Sequence, residues 1–109
     1  MAVVASNKGR VTLLPVSLAL DTYAGFLETT TGECYRISLA CAAGGGKVVP
    51  GSIEVDPQLA DLLRPFNKAL AARASHASTL RSFLVELLDL VDQVTFNNVG
   101  FFTSQSYKS

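Results

Sequence analysis

An α+β fold is predicted for this chain: an antiparallel β-meander of four to five strands, followed by two α-helices packed on one face of the sheet. Two observations predict it. The first half holds short apolar segments separated by Gly and Asn turn signals, whereas in the second half apolar residues recur at helical spacing. The period changes at Asp56, so we expect one domain over 1–109, with a sheet in 1–55, helices in 56–95 and a partly mobile tail in 96–109.

Five segments of the first half carry the strand signal, since they are rich in Val, Ile, Thr, Tyr and Phe and are bounded by turn residues. Pro15 interrupts the second segment and cannot donate a ladder hydrogen bond, so that strand is expected to be at an edge, bulged or split. Pro50 indicates the same for the last segment. The segments are Val3–Ser6, Val11–Leu20, Tyr23–Thr29, Cys34–Cys41 and Lys47–Val55.

Cys34 and Cys41 lie at opposite ends of one predicted strand and are the only cysteines of the sequence. At about 3.3 Å per residue their Cα atoms would be about 23 Å apart, well beyond the roughly 7 Å limit of a disulfide. Strand alternation puts Cys41 on one face with Tyr35, Ile37 and Leu39. We therefore expect Cys41 to be a buried thiol and Cys34 to be the more exposed of the two.

Two helices are predicted after the change of period. Asp56 can accept a hydrogen bond as N-cap and Pro57 suits the first helical position, so the first helix begins there. Pro65 should kink or divide it, and the segment 74–78 should end it. The apolar positions of the first helix are Leu59, Leu62, Leu63, Phe66 and Leu70, and those of the second are Leu80, Phe83, Leu84, Leu87, Leu88, Val91 and Val94.

The C-terminal segment carries a weaker pattern. Asn97 and Asn98 are expected to end the second helix, and Val99–Thr103 could form a short C-terminal strand.

Charge and hydropathy exclude several classes of protein. Nine basic and nine acidic residues cancel, so no net field attracts nucleic acid or an anionic membrane. The N-terminus lacks the apolar core of a signal peptide, and no apolar run approaches the roughly 20 residues that span a bilayer. A soluble protein is predicted, located inside the cell or in a virion.

The triple glycine before Lys47 invites comparison with a phosphate-binding loop. That loop requires a first glycine where Cys41 stands and a hydroxyl residue where Val48 stands, and it must open a helix. The segment Gly44–Gly46 is therefore interpreted as a hairpin turn, and no cofactor is predicted.

Other catalytic and metal-binding patterns are equally incomplete. His76 is the single histidine and has no nucleophile signature near it, so no catalytic residue is assigned. Two cysteines and one histidine do not supply a zinc site. Glu86, Asp89 and Asp92 share one side of the second helix, which is more typical of an ion-paired helix face than of a cation site.

Opposite charges meet if the two helices form an antiparallel hairpin that turns at residues 76 and 77. Lys68 then lies level with Glu86, and Arg64 with Asp89. We expect these ion pairs on the helical surface.

Three functional hypotheses remain open. The first is a non-enzymatic assembly protein that acts as a homodimer or larger homo-oligomer, or as an adaptor that binds a partner, and its layout is shared in outline with small viral coat proteins. It would associate through the second helix, because Val85 and Leu90 extend the apolar stripe on either flank to an arc too wide for one sheet face to cover. The residues assigned to this self-association are Phe83, Val85, Leu87 and Leu90.

The second hypothesis is a module that binds single-stranded nucleic acid through basic side chains and aromatic residues of the tail. The third is a small-ligand-binding protein or enzyme with a pocket between sheet and helices. The nucleic-acid contacts would be Arg64, Lys68, Arg73 and Arg81, with Phe101, Phe102 and Tyr107.

Overall fold

A computed structural model describes residues 2–17, 21–42 and 46–108, with side chains through residue 95. It contains five strands followed by helices, which confirms the predicted α+β fold. The strands are β1 (Ala2–Ser6), β2 (Gly9–Ser17), β3 (Thr22–Thr29), β4 (Cys34–Ala40) and β5 (Glu54–Val55). The helices are α1 (Pro57–Leu63), α2 (Asn67–His76) and α3 (Leu80–Lys108), with 3-10 turns at Pro50–Ser52 and Arg64–Phe66.

The sheet is an antiparallel meander in which the strands lie in chain order. The register of β2 and β3 shifts between Pro15 and Ser17, so the proline is accommodated by a bulge. It also lies beyond the part of β2 that pairs with β1, which ends at Leu13. The missing amide of Pro15 therefore breaks no hydrogen bond to β1.

The last predicted strand is much shorter than Lys47–Val55. Only Glu54 and Val55 form β5, and Val48 contributes an isolated bridge to Cys41. Pro50 starts a 3-10 turn instead, because its fixed φ suits a turn and it has no amide for the ladder. Ala42 N donates to Lys47 O at 2.7 Å, which closes the glycine loop, while residues 43–45 of that loop lie outside the described part.

The helical half begins and divides where its sequence signals lie. The Asp56 side chain accepts a hydrogen bond from Gln58 N at 3.0 Å and caps α1. Pro65 lies in the 3-10 turn that separates α1 from α2. Thr79 and Ser82 exchange reciprocal hydrogen bonds between side chain and backbone, and this capping box opens α3.

Helix α3 continues to Lys108, so the predicted helix end at Asn97 and Asn98 and the strand Val99–Thr103 are wrong. Asparagine costs less than about 0.7 kcal/mol per residue in a helix, and no proline interrupts this segment. A helix already fixed by packing can therefore continue through it. No helix in the described part of the chain is both long and apolar enough to cross a membrane.

The core lies between one face of the sheet and the helices. Helix α3 packs against β1, β2 and β3 and also contacts α1 and α2. Alternate residues of β4 enter this core, and Cys41 is buried with them while Cys34 is exposed, as strand alternation predicts. The largest fully buried side chains are Phe83, Leu13, Leu27, Leu59, Leu63, Leu84, Leu87, Leu88, Val11, Val48 and Val91.

The ion pairs expected across the helix hairpin are wrong in register. Glu86 lies 3.6 Å from Arg73, not beside Lys68, and Arg64 in the 3-10 turn pairs with Asp61 of α1 at 2.5 Å. The turn of the helix hairpin lies near Thr79 and not at residues 76 and 77, because the capping box at Thr79 starts α3 only at Leu80.

Candidate functional site

The face of the sheet opposite the helices, the open face, is built from the strand residues that do not enter the core. The cross-strand registers place Val3, Thr12, Phe26 and Arg36 in one row across β1, β2, β3 and β4. Because each pair lies directly opposite, their side chains are neighbours on the same face. In this row the apolar Val3 lies at the edge of the sheet, the aromatic Phe26 near the centre and the cationic Arg36 at the far end.

A second row runs beside the first. It contains Leu14, Ala24, Ser38 and Glu54, from β2 to β5. Leu14 and Phe26 are each 54% exposed, and Val3 is 38% exposed. We call Val3, Leu14 and Phe26 the sheet patch.

A shallow pocket of about 540 Å³ opens on this face. Leu14, Phe26 and Thr12 line its apolar side, and Arg36 and Glu54 line its polar side. Most of its walls are side chains of the sheet, and Asp56 and Pro57 at the start of α1 close one end, so the pocket is a depression in a broad surface. Such a surface suits a protein partner better than a small molecule.

The charges of the open face divide into paired and unpaired groups. In a third row, Arg10 pairs with Glu28 at 3.0 Å. Arg36 is exposed and forms no ion pair with a described residue. It is therefore the cation that the sheet patch offers to a partner.

Tyr35 fixes the turn at one end of this face. Its hydroxyl donates to Glu33 Oε2 at 2.5 Å, and the hydrogen bond to Glu33, together with burial, raises the pKa of Tyr35 to about 12. The phenol therefore stays neutral, and the turn between β3 and β4 stays tied to the core side of the sheet.

The two thiols lie in different environments. Cys41 is buried, and burial, with a smaller contribution from the charge of Asp21, raises the pKa of its thiol. A raised pKa lowers the thiolate fraction at neutral pH, which works against nucleophilic chemistry at Cys41. Cys34 is exposed at the start of β4, opposite Glu28 and outside the pocket beside the sheet patch.

Alkylation with iodoacetamide at neutral pH should therefore label Cys34 at least about tenfold faster than Cys41, because burial restricts reagent access to Cys41 and raises the pKa of its thiol. Peptide mass spectrometry over a time course measures both rates in one sample. In the urea-denatured chain the two rates should converge. Fast labelling of both cysteines in the folded chain would contradict the burial of Cys41.

The residues assigned to nucleic-acid contact do not form one basic surface. Arg64 is paired with Asp61 and Arg73 with Glu86, while Lys68 and Arg81 are exposed. Two of the four cations are thus already neutralised by carboxylates. The aromatic residues Phe101, Phe102 and Tyr107 lie where side chains are not described.

Most of the residues assigned to self-association lie inside the monomer. Phe83 and Leu87 are fully buried, and Leu90 is 2% exposed, so the expectation that Leu90 extends an exposed flank is wrong. Helix α3 is covered by α1 and α2 as well as by the sheet, which together bury a wider arc than one sheet face could. Val85 is exposed, at 48%. Self-association in solution stays a prediction.

The remaining polar candidates have structural roles. His76 Nδ1 lies 2.7 Å from Ala72 O, one helical turn back. Asp92 pairs with Lys8 at 3.3 Å and ties the β1–β2 turn to α3. Among the described residues, no cluster of His, Cys, Asp and Glu could hold a metal ion.

The sheet patch was missed by the sequence reasoning, although a signal for it was present. Leu14 and Phe26 occupy strand positions whose neighbours two residues away, Thr12 and Glu28, are polar. Apolar residues at positions of the outward-facing parity are the pattern that would have indicated it.

Comparison with known proteins adds a family. No curated protein and no solved structure matches the chain. The model of the family described as FANCL UBC-like domain 1 matches residues 11–93, which is well over half of the chain and includes Leu14, Phe26 and Arg36. This is a ubiquitin-conjugase-like fold in an E3 ligase family.

That match overturns the first function predicted from the sequence. A structural assembly protein and a viral coat-like subunit are wrong. The analogy of layout misled because many unrelated functions share an α+β architecture. The chain belongs to the FANCL UBC-like domain 1 family.

Proposed function

We propose that this chain is a non-catalytic UBC-like domain that binds a protein of the ubiquitin pathway through the sheet patch. The observation that carries the proposal is the exposure of Leu14 and Phe26 on the face opposite the core, at 54% each. Large apolar side chains grouped on a regular, rigid surface are typical of protein interaction sites.

The thiols support a non-catalytic role. Conjugating chemistry would require an accessible cysteine thiolate to carry the ubiquitin carboxyl group as a thioester. Cys41 is buried with a raised pKa, so it is unsuited to that task. Cys34 is exposed, and its cross-strand neighbour Glu28 is an acidic residue, which does not stabilise the oxyanion that forms when a thiolate attacks a thioester.

The sheet patch has the composition of an interaction hot spot. Phe26 is central, with Thr12 and Arg36 on either side in its row, and aromatic and Arg side chains are enriched among residues that dominate binding energy. Complete burial of a Leu or Phe side chain contributes about 1.5–3 kcal/mol, and roughly half of each remains to be buried here. The patch therefore fits a partner with a complementary apolar surface and moderate affinity.

Phe26→Asp tests the proposal. We expect ubiquitin, alone or carried by a conjugating enzyme, to shift the NMR resonances of the open face in the parent chain. Phe26→Asp should weaken that binding by about tenfold or more, equivalent to about 1.4 kcal/mol, because a carboxylate replaces the apolar centre. Titration of the isotope-labelled chain gives the affinity and the location together.

Val85→Asp is the matched control, since Val85 is also an exposed apolar residue but lies on α3. It should bind like the parent, and both variants should melt near the parental temperature. Absence of resonance shifts on the open face with either form of ubiquitin, or unchanged affinity of Phe26→Asp, would refute the proposed function. Thioester formation on either cysteine would refute the non-catalytic part alone.

A further inference from the structure

The free backbone edge of β1 is a second surface of the molecule, which adjoins the sheet patch at Val3. Strand β1 is the outermost strand on its side of the sheet, and the described residues place no strand beyond it. Its residues 2–6 read Ala-Val-Val-Ala-Ser, and Ala5 and Ser6 are exposed.

The hairpin register fixes which backbone groups face outward. Ser6 pairs with Gly9 across the two-residue turn, so Ser6, Val4 and Ala2 occupy the positions that hydrogen-bond to β2. The backbone N–H and C=O groups of Val3 and Ala5 therefore point away from the sheet. Neither residue has a backbone hydrogen bond to any described turn or loop.

The two edges of the sheet differ in protection. At the opposite edge, β5 has two residues, one of them Glu54, and lies between Pro50 and Pro57. Shortness, charge and proline are the devices by which proteins prevent an edge from pairing. Strand β1 has five residues with no charge and no proline, and its pairing with β2 is regular.

We propose that β1 is a docking edge for an extended segment of a partner protein, which adds to the sheet as a sixth strand beyond β1. The occupant follows from the chemistry of the edge, because two outward N–H groups and two outward C=O groups, alternating along a strand, are complementary only to another extended backbone. Side chains of the added strand that lie beside Val3 would extend the open face. An apolar residue at that position is therefore favoured.

This site does not depend on the proposed function. Backbone pairing at Val3 and Ala5 requires no contact with Phe26, and Phe26 lies two strands away from β1. A variant of the sheet patch therefore distinguishes the two surfaces.

Amide hydrogen exchange measured by NMR tests the docking edge directly. In the free chain, the amides of Val3 and Ala5 should exchange at rates near those of an unstructured peptide, whereas the amide of Val4, bonded to β2, should be protected. The probe is a soluble extended peptide of alternating Thr and Val with a Lys at each end. At about twice its dissociation constant it should slow exchange at Val3 and Ala5 about threefold.

Two controls isolate backbone pairing. The first control is a peptide of the same sequence that is N-methylated at the alternate residues whose amides would face β1. It should leave the exchange rates of the Val3 and Ala5 amides unchanged. Ala5→Pro removes one outward donor while leaving the bonds between β1 and β2 in place, so it should weaken peptide binding several-fold, and Ala5→Ser should not. Phe26→Asp should also leave the peptide-induced slowing unchanged.

Three results would overturn the proposal. The first is protection of Val3 and Ala5 in the free chain, which would mean that the edge is already occupied. The second is the absence of slowing with the unmethylated peptide. The third is equal slowing with the methylated peptide, which would assign the effect to side-chain association.

Discussion

Leu87→Asp is expected to abolish cooperative folding of the domain. Leu87 is fully buried in the layer where α3 packs on the sheet. The substitution removes apolar packing and places a carboxyl group in a core whose described buried residues are apolar except for Thr29. Each of these changes costs a few kcal/mol, and together they should cost about 4 kcal/mol or more, which is comparable to the whole stability of a small domain.

Circular dichroism during thermal unfolding measures the effect. The parent should unfold in one cooperative transition, and Leu87→Asp should show none. Val85→Asp, two residues earlier on the same helix, introduces the same charge at a half-exposed position and should unfold like the parent to within about 1 kcal/mol. A cooperative transition in Leu87→Asp near the parental temperature would show that α3 does not pack on the sheet as described.

Leu90→Asp extends this comparison. The sequence pattern predicts that it weakens assembly with less damage to the fold than Leu87→Asp, because that pattern puts Leu90 on a flank of the apolar stripe. At 2% exposure it should instead destabilise the monomer nearly as much as Leu87→Asp. Equal thermal stability of Leu90→Asp and the parent would restore the earlier interpretation.

Gly25→Ala should lower the free energy of unfolding by about 3 kcal/mol, through a backbone collision inside the sheet. A Cβ atom at Gly25 would overlap the carbonyl oxygen of Thr12, and would lie 2.9 Å from the Thr12 carbonyl carbon and 3.0 Å from the Leu13 Cα atom. These are backbone atoms of the neighbouring strand β2, so relief requires the two strands to separate. A glycine inside a strand often marks such a close approach.

Gly51→Ala is the control for this substitution. A Cβ atom at Gly51 would meet nothing within 4 Å, so the change should be neutral to within about 0.5 kcal/mol. Urea unfolding of both variants gives the two free energies, and the midpoint temperature of Gly25→Ala should fall by more than about 10 °C. If the free energy of unfolding of Gly25→Ala equals that of the parent, the backbones of β2 and β3 are not as close at Gly25 and Thr12 as described.

Local signals in the sequence determined the order and nature of the main elements. Alternation in β4 places Cys41 in the core and Cys34 outside it because side chains of a strand point to opposite faces whatever the sheet packs against. Asp56 caps α1, and Pro65 divides the helical segment, because capping and the missing proline amide act within one turn of helix.

The local signals of the sequence did not determine the function of the chain. The composition and motifs excluded a phosphate-binding loop, but an α+β layout is shared by too many unrelated activities to select one. The family emerged only from a comparison over residues 11–93, which weighs many positions together.

Tertiary structure decided what covers each surface. The sequence shows that Leu90 is apolar, but only the packing of α3 against the sheet and the other helices buries it. The described helices pack on one face of the sheet, and Leu14 and Phe26 on the other face are exposed. Glu86 pairs with Arg73 because the register of the helix hairpin depends on where the capping box starts α3. The physical reason is common to these cases: periodicity within a segment reports which residues share a face, whereas the burial of that face depends on elements distant in the chain.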